Sequence, residues 1–138
     1  MPQAAEPASE AGRIPVAANE KLVFMVTRGP DEPELASIPF VMAVAALASD
    51  VEAVVGLQGN GVELAVRGRT HGVEARGFPP LSKLLEDYCN LGGRLLVCTP
   101  CIRAREIDPE RQFVENAELV AAGRFVAEVT SATNALVY

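Results

Sequence analysis

Two thiols three residues apart, followed by two arginines, are the best equipped part of this chain for chemistry. Cys98 and Cys101 stand in CTPC, and Arg103 and Arg105 follow in IRAREI. The thiolate is the reactive form of cysteine, and a helix amino terminus or nearby cations lower its pKa from about 8.5. The apolar run RLLVC, 94–98, reads as a strand, and TPCIRAREI, 99–107, as a short helix with Pro100 in its first turn. Cys98 is then expected just ahead of that helix, facing its unpaired N–H groups. Arg103 and Arg105 are candidate partners for a thiolate, a persulfide or an anionic sulfur substrate. As arginines on a solvated helix face they need no such role.

Three chemistries compete for this stretch. A closed zinc site needs four ligands, commonly from two paired motifs. Here one CxxC is joined only by Cys89, on an apolar helix, and by the single histidine, His71, in a polar loop; no metal site is expected. Dithiol exchange suits a CxxC at a helix start. The thioredoxin arrangement, however, places that motif after an early strand and before a long helix, whereas here it opens a short one. The third chemistry is sulfur transfer, in which one cysteine carries a persulfide and a second is optional. Local physics does not separate the last two. Cys89, set among Leu84, Leu85 and Tyr88, reads as a small buried hydrophobe.

The elements that must place these thiols are legible from apolar runs. EKLVFMVT (20–27), VEAVVGL (51–57) and RLLVC suit strands buried on both faces of a parallel sheet. NAELVA is a weaker fourth strand and NALVY a fifth, with Tyr138 expected to be tied into the sheet or into a neighbouring subunit. Helices are read at 34–49, with Asp31 as a candidate N-cap and Pro39 as a kink or the true start, at 79–93 with a Gly-Gly stop, and at 122–132. Strands alternating with helices predict a three-layer α/β/α sandwich on a mainly parallel five-stranded sheet. In such a sheet ligands bind beyond the carboxyl ends of the strands. Cys98 falls there, as do the loops RGPDEP and QGNG. In the latter, Gly59 and Asn60 are candidate pocket residues; Asn60 is also read as the cap of a short helix VELAV. A nucleotide site at these two loops is a lesser alternative, because GNGVEL lacks the third glycine of GxGxxG and any Walker lysine.

Composition narrows the partners. The 138 residues carry a formal charge of −6, and the pI is about 4.8, which disfavours nucleic acid and anionic membranes. The longest apolar run, 38–48, is much shorter than the roughly 20 residues needed to span a bilayer. The first 19 residues, rich in Ala, Pro and Glu, lack an apolar core segment. They read as a disordered tail rather than a signal or transit peptide, so a cytoplasmic chain with reduced thiols is expected.

With these pieces in order, the sequence resembles the DsrE/DsrF-like family, which includes sulfur-relay subunits of the TusD type. The resemblance covers residues 21–138. It rests on LVFMVTRGPDEPELASIPFVMAVAALA, then VVGLQGNGVELA, then GFPPLSKLLEDYCNLGGRLLVCTPCIRAREI, then AELVAAGRFVAEV and the closing NALVY. It implies a domain over 20–138 that assembles as a homo-oligomer, a trimer or a hexamer. It implies that Cys98, closing the third strand, accepts and passes on sulfane sulfur as a persulfide, without a cofactor. Donor and acceptor would be proteins or low-molecular-weight persulfides. Cys101 matches the subgroup with a CxPC form and would assist or resolve. The chain departs at Glu106, where glycine is expected; an acid there weakens the cationic surroundings of Arg103 and Arg105. A non-enzymatic oligomeric subunit, or a thiol redox sensor using Cys98 and Cys101, is the alternative.

Overall fold

The computed structural model describes residues 19–138; the tail expected over the first 19 residues lies, but for Asn19, outside them. In chain order the elements are β1 (Lys21–Val26), α1 (Pro33–Ala48), β2 (Glu52–Leu57), a 3-10 turn (Gly59–Ala65), α2 (Leu81–Asn90), β3 (Arg94–Cys98), α3 (Thr99–Ala104), α4 (Pro109–Gln112), β4 (Ala117–Val120), α5 (Ala122–Thr130) and β5 (Asn134–Val137).

The five strands form one sheet in the order β4-β3-β2-β1-β5, and every pairing is parallel. Continuous apolar runs form these strands because both faces are covered. Phe24, Val26, Val55, Leu57, Leu95 and Val97 face the larger core, with Phe40 of α1 and Leu81, Leu84 and Tyr88 of α2. Val23, Met25, Val54 and Leu96 face the smaller one, under Phe125 of α5. The chain steps along the sheet from β1 to β4 and then jumps back beyond β1 to β5. A crossover of constant right hand must then change face, so α5 lies alone opposite α1 and α2.

The helix ends carry much of the local definition. Asp50, Gly92 and Glu106 take positive φ angles of 62°, 89° and 53°. Each closes a helix with paired bonds, as in Val51 N–H to Ala46 O at 2.8 Å, Gly93 N–H to Tyr88 O at 2.9 Å and Ile107 N–H to Ile102 O at 3.1 Å. This is the Schellman arrangement, which places one left-handed residue just past the helix. The glycine expected at position 106 is thus a backbone requirement, and Glu106 meets it with a strained φ.

Two local readings need correction and a third is narrowed. Glu32, not Asp31, is the N-cap of α1, and it makes no side-chain capping bond. Pro39 lies inside that helix, so of the two alternatives it is not the true start. The bond its missing N–H would give to Leu35 is outweighed by burial of Ala36, Phe40, Ala43 and Ala46 on the same helix. Asn60 caps nothing: the short helix expected at 62–66 is a 3-10 turn whose N-cap is Gln58.

Tyr138 is tied in as expected. Its N–H donates to Met25 O at 2.8 Å and its carbonyl accepts from Thr27 N–H at 3.0 Å. Among the described residues no helix is long and apolar enough to cross a membrane.

Candidate functional site

Because all strands run one way, their carboxyl ends share an edge. There the loop after β1, the 3-10 turn after β2 and the start of α3 after β3 meet. The first two touch backbone to backbone: a Cβ on Gly29 would sit 2.7 Å from the Asn60 carbonyl oxygen. Glycine is what lets the loop after β1 press against the turn.

Cys98 ends β3 and is the N-cap residue of α3, though its side chain makes no capping bond. One turn on, the thiol of Cys101 lies 2.8 Å from the Cys98 sulfur and donates to it. Both cysteines are free thiols and partly exposed. The Cys101 sulfur in turn accepts from the backbone N–H of Gly59 at 3.2 Å. Gly59 presents that N–H from a φ of 54°, left-handed backbone that a side chain would resist. Gly59 N–H, Cys101 S–H and Cys98 Sγ therefore form a short directional chain of hydrogen bonds.

Arg105 braces this arrangement rather than touching the sulfurs. Its guanidinium reaches Asn60 Oδ1 from Nη2 at 2.8 Å and from Nε at 3.3 Å, and donates from Nη1 to the Cys101 carbonyl at 3.0 Å. It thus clamps α3 to the 3-10 turn. Thr99 fastens the helix on its other side, its hydroxyl donating to Val120 O at 2.8 Å. Arg103 is exposed, and its side chain has no hydrogen bond or ion pair among the described residues.

The electrostatics differ from the expectation of a lowered thiol pKa. Burial first, and the proton shared with Cys101 second, push the Cys98 thiol above its ordinary value. The Cys101 backbone N–H and the charge of Arg105 pull the other way and offset only part of this.

The structure brings Cys98, Cys101, Arg105, Gly59 and Asn60 together and leaves Arg103 outside. The link between Gly59 and Cys101 spans 42 residues and had no sequence signal, since a donated backbone N–H leaves no mark on residue type. The turn is also a poor phosphate cradle. Gln58 N–H goes to Val26 O, Gly59 N–H to Cys101 and Gly61 N–H to Gln58 O.

Away from this edge, Cys89 is half-buried, and burial raises its pKa. It borders a cavity of about 500 Å³ with Val66, Thr70, Ser82, Leu85 and Val114. His71 is exposed at the same cavity. Among the described residues no three His, Cys, Asp or Glu side chains gather as metal ligands.

These features define a class: an all-parallel α/β sandwich with a thiol pair where the third strand turns into a short helix. The chain belongs to the DsrE/DsrF-like family, whose sequence profile matches residues 20–138. Two relatives come from Methanocaldococcus jannaschii. The uncharacterized protein MJ0989 is 27% identical over 118 residues, covering 86% of this chain and 99% of its own length. The uncharacterized protein MJ0760 is 29% identical over 107 residues, covering 78% of this chain; the match spans only 38% of the length of that relative. Among solved structures, the ychN protein from E. coli superposes with a TM-score of 0.72 at 17% identity, covering 86% of this chain and 99% of the other. The MTH1491 protein from Methanobacterium thermoautotrophicum gives 0.65 at 18% identity, covering 87% and 100%. At these identities the two structures establish the fold.

Proposed function

We propose that the chain is an intracellular sulfur carrier that holds sulfane sulfur as a persulfide on Cys98. The observation that carries this reading is a thiol at the carboxyl edge of β3, hydrogen-bonded to a second thiol at 2.8 Å, in a family associated with sulfur relay. Cys98 as thiolate attacks the outer sulfur of a donor persulfide. The donor S–S bond breaks, the donor thiol departs, and Cys98 keeps the sulfur until an acceptor thiolate attacks it in turn.

Incubation with cysteine persulfide followed by mass spectrometry tests the proposal. One added sulfur is expected on Cys98. Absence of the adduct on the wild type, or an equal adduct on Cys98→Ser, overturns it.

Self-association belongs to the same proposal. Val126, Val129 and Val137 are exposed apolar side chains. Val126 and Val129 border a cavity of about 270 Å³ with Met25 and Phe125. Such a patch marks an interaction surface, and a solution mass above the 14.6 kDa of one chain is expected.

The closeness of the two sulfurs also favours a second reading, a redox sensor in which the pair gives two electrons to an oxidant and forms a disulfide. A sensor needs a reduction potential inside the cytosolic glutathione range of roughly −220 to −320 mV. A value far below that range describes a permanent bridge instead.

A further inference from the structure

We infer that Cys101 is the proton shuttle of the carrier, passing one proton out and back as sulfur arrives and leaves, and that Arg105 and Asn60 are the positioning residues that hold it to this work. The inference rests on the persulfide reading above and assigns the second thiol a catalytic role distinct from resolving the persulfide.

The geometry is directional. The thiol of Cys101 donates to Cys98, and Gly59 N–H donates to Cys101. The proton of Cys101 therefore lies against the Cys98 sulfur, within reach of whatever reacts there. Gly59 N–H is already in place to stabilise a thiolate on Cys101 once its proton has been passed on. The polar side chains beside the pair are engaged elsewhere. Thr99 is committed to Val120 O, and Arg105 is committed to Asn60 and to the Cys101 carbonyl.

The balance closes without a further reagent. In loading, the Cys98 thiolate bonds to the outer sulfur of a donor R–S–SH, and the donor S–S bond breaks. The departing R–S⁻ takes the proton of Cys101, leaving R–SH, a Cys98 persulfide and a Cys101 thiolate. In unloading, an acceptor R′–SH gives its proton to Cys101 and bonds to the outer sulfur of the persulfide. The products are R′–S–SH, the Cys98 thiolate and the Cys101 thiol. Nothing is oxidised or reduced overall, and the pair returns to its starting state.

General acid catalysis contributes about a hundredfold or more when the group is well placed. The test compares loading rates with cysteine persulfide across pH for wild type, Cys101→Ala and Cys101→Ser, with the modified residue located by mass spectrometry. The shuttle needs a deprotonated Cys98 and a protonated Cys101, so the wild-type rate should rise with pH and then fall. Both variants should still load Cys98, tenfold or more slower near neutrality, and should lack the falling limb that wild type shows with the same donor. Serine keeps a hydroxyl hydrogen bond and nearly the same shape, so its failure to rescue separates proton transfer from packing. If either variant matches wild type in rate and profile, the shuttle is overturned while sulfur on Cys98 keeps the carrier reading. If wild-type Cys98 takes up no sulfur, both fall.

Discussion

At the scale of single residues, the site works by placement more than by charge. Arg105 reads in the sequence as a cation for a bound anion. In the structure its donors are taken up by Asn60 Oδ1 and the Cys101 carbonyl. That gives a prediction which separates the two roles. Arg105→Lys keeps the positive charge but loses the planar fork. Its loading rate should fall with that of Arg105→Ala, to within a few-fold of each other. A lysine variant that retains the wild-type rate would return Arg105 to simple electrostatics. Asn60 shows the same lesson in reverse. Its residue type suits a cap, and only the packed structure reveals that its side chain serves an arginine 45 residues away.

At the scale of elements, helix ends and strand pairs decide how firmly the edge is held. Glu106 closes α3 with a φ of 53°, a region that costs an ordinary L-residue roughly 1–2 kcal/mol. Glycine removes that cost but adds freedom to the unfolded chain. Glu106→Gly is therefore expected to stabilise the fold by about 0.5–1 kcal/mol, seen as a higher urea midpoint with an unchanged slope. A lower midpoint would mean that the carboxylate has a structural partner worth more than the strain.

The other end of the sheet depends on Tyr88. Its buried hydroxyl accepts from Val55 N–H at 3.1 Å and donates to Arg94 O at 2.5 Å, bridging β2 and β3. Tyr88→Phe leaves both backbone groups without that partner and should cost about 1–3 kcal/mol in the same urea experiment. A loss below the error of the fit would show that the strands re-pair without the phenol.

These elements were legible to different degrees, for physical reasons. The three central strands and α2 were read closely because continuous apolar runs and a helical leucine spacing are local signals. α4 was not foreseen, although Asp108 caps it and Pro109 opens it; four residues give no periodicity to detect. The 3-10 turn departs from the expected short helix because its anchors come from elsewhere, through Gly29 and Cys101. Cys98 could be placed from strand order alone. The hydrogen-bond chain that distinguishes it from Cys101 could not.

At the scale of the whole molecule, the two ends of the sheet are chemically unlike. Near the amino ends, Glu128 of α5 meets Lys21 at 2.7 Å, Arg124 at 2.8 Å and Arg94 at 3.4 Å. One carboxylate thus ties the lone helix on its face to β1 and β3. Burial opposes ionisation of Glu128, but the hydrogen bonds from Lys21 and Arg124 and the charge of Arg94 outweigh it, holding the carboxyl at about 2 against an ordinary 4.5. The folded value lies below the unfolded one, so the unfolded chain takes up this proton first as pH falls. The stabilisation is complete above about 4.5 and is lost on descending through about 2. Urea midpoints across that window should fall for wild type and fall less steeply for Glu128→Gln. Parallel slopes would assign acid sensitivity to other carboxylates.

The 2.8 Å between Cys98 and Cys101 has a consequence for quantity. One sulfur holds the cargo and the other is in contact with it, so the pair amounts to one loading position per chain. On the carrier reading, capacity is then a single atom per chain, however abundant the supply. Traffic through the protein would be set by the number of molecules present and by how often each is emptied. A recipient would then meet sulfur one atom at a time.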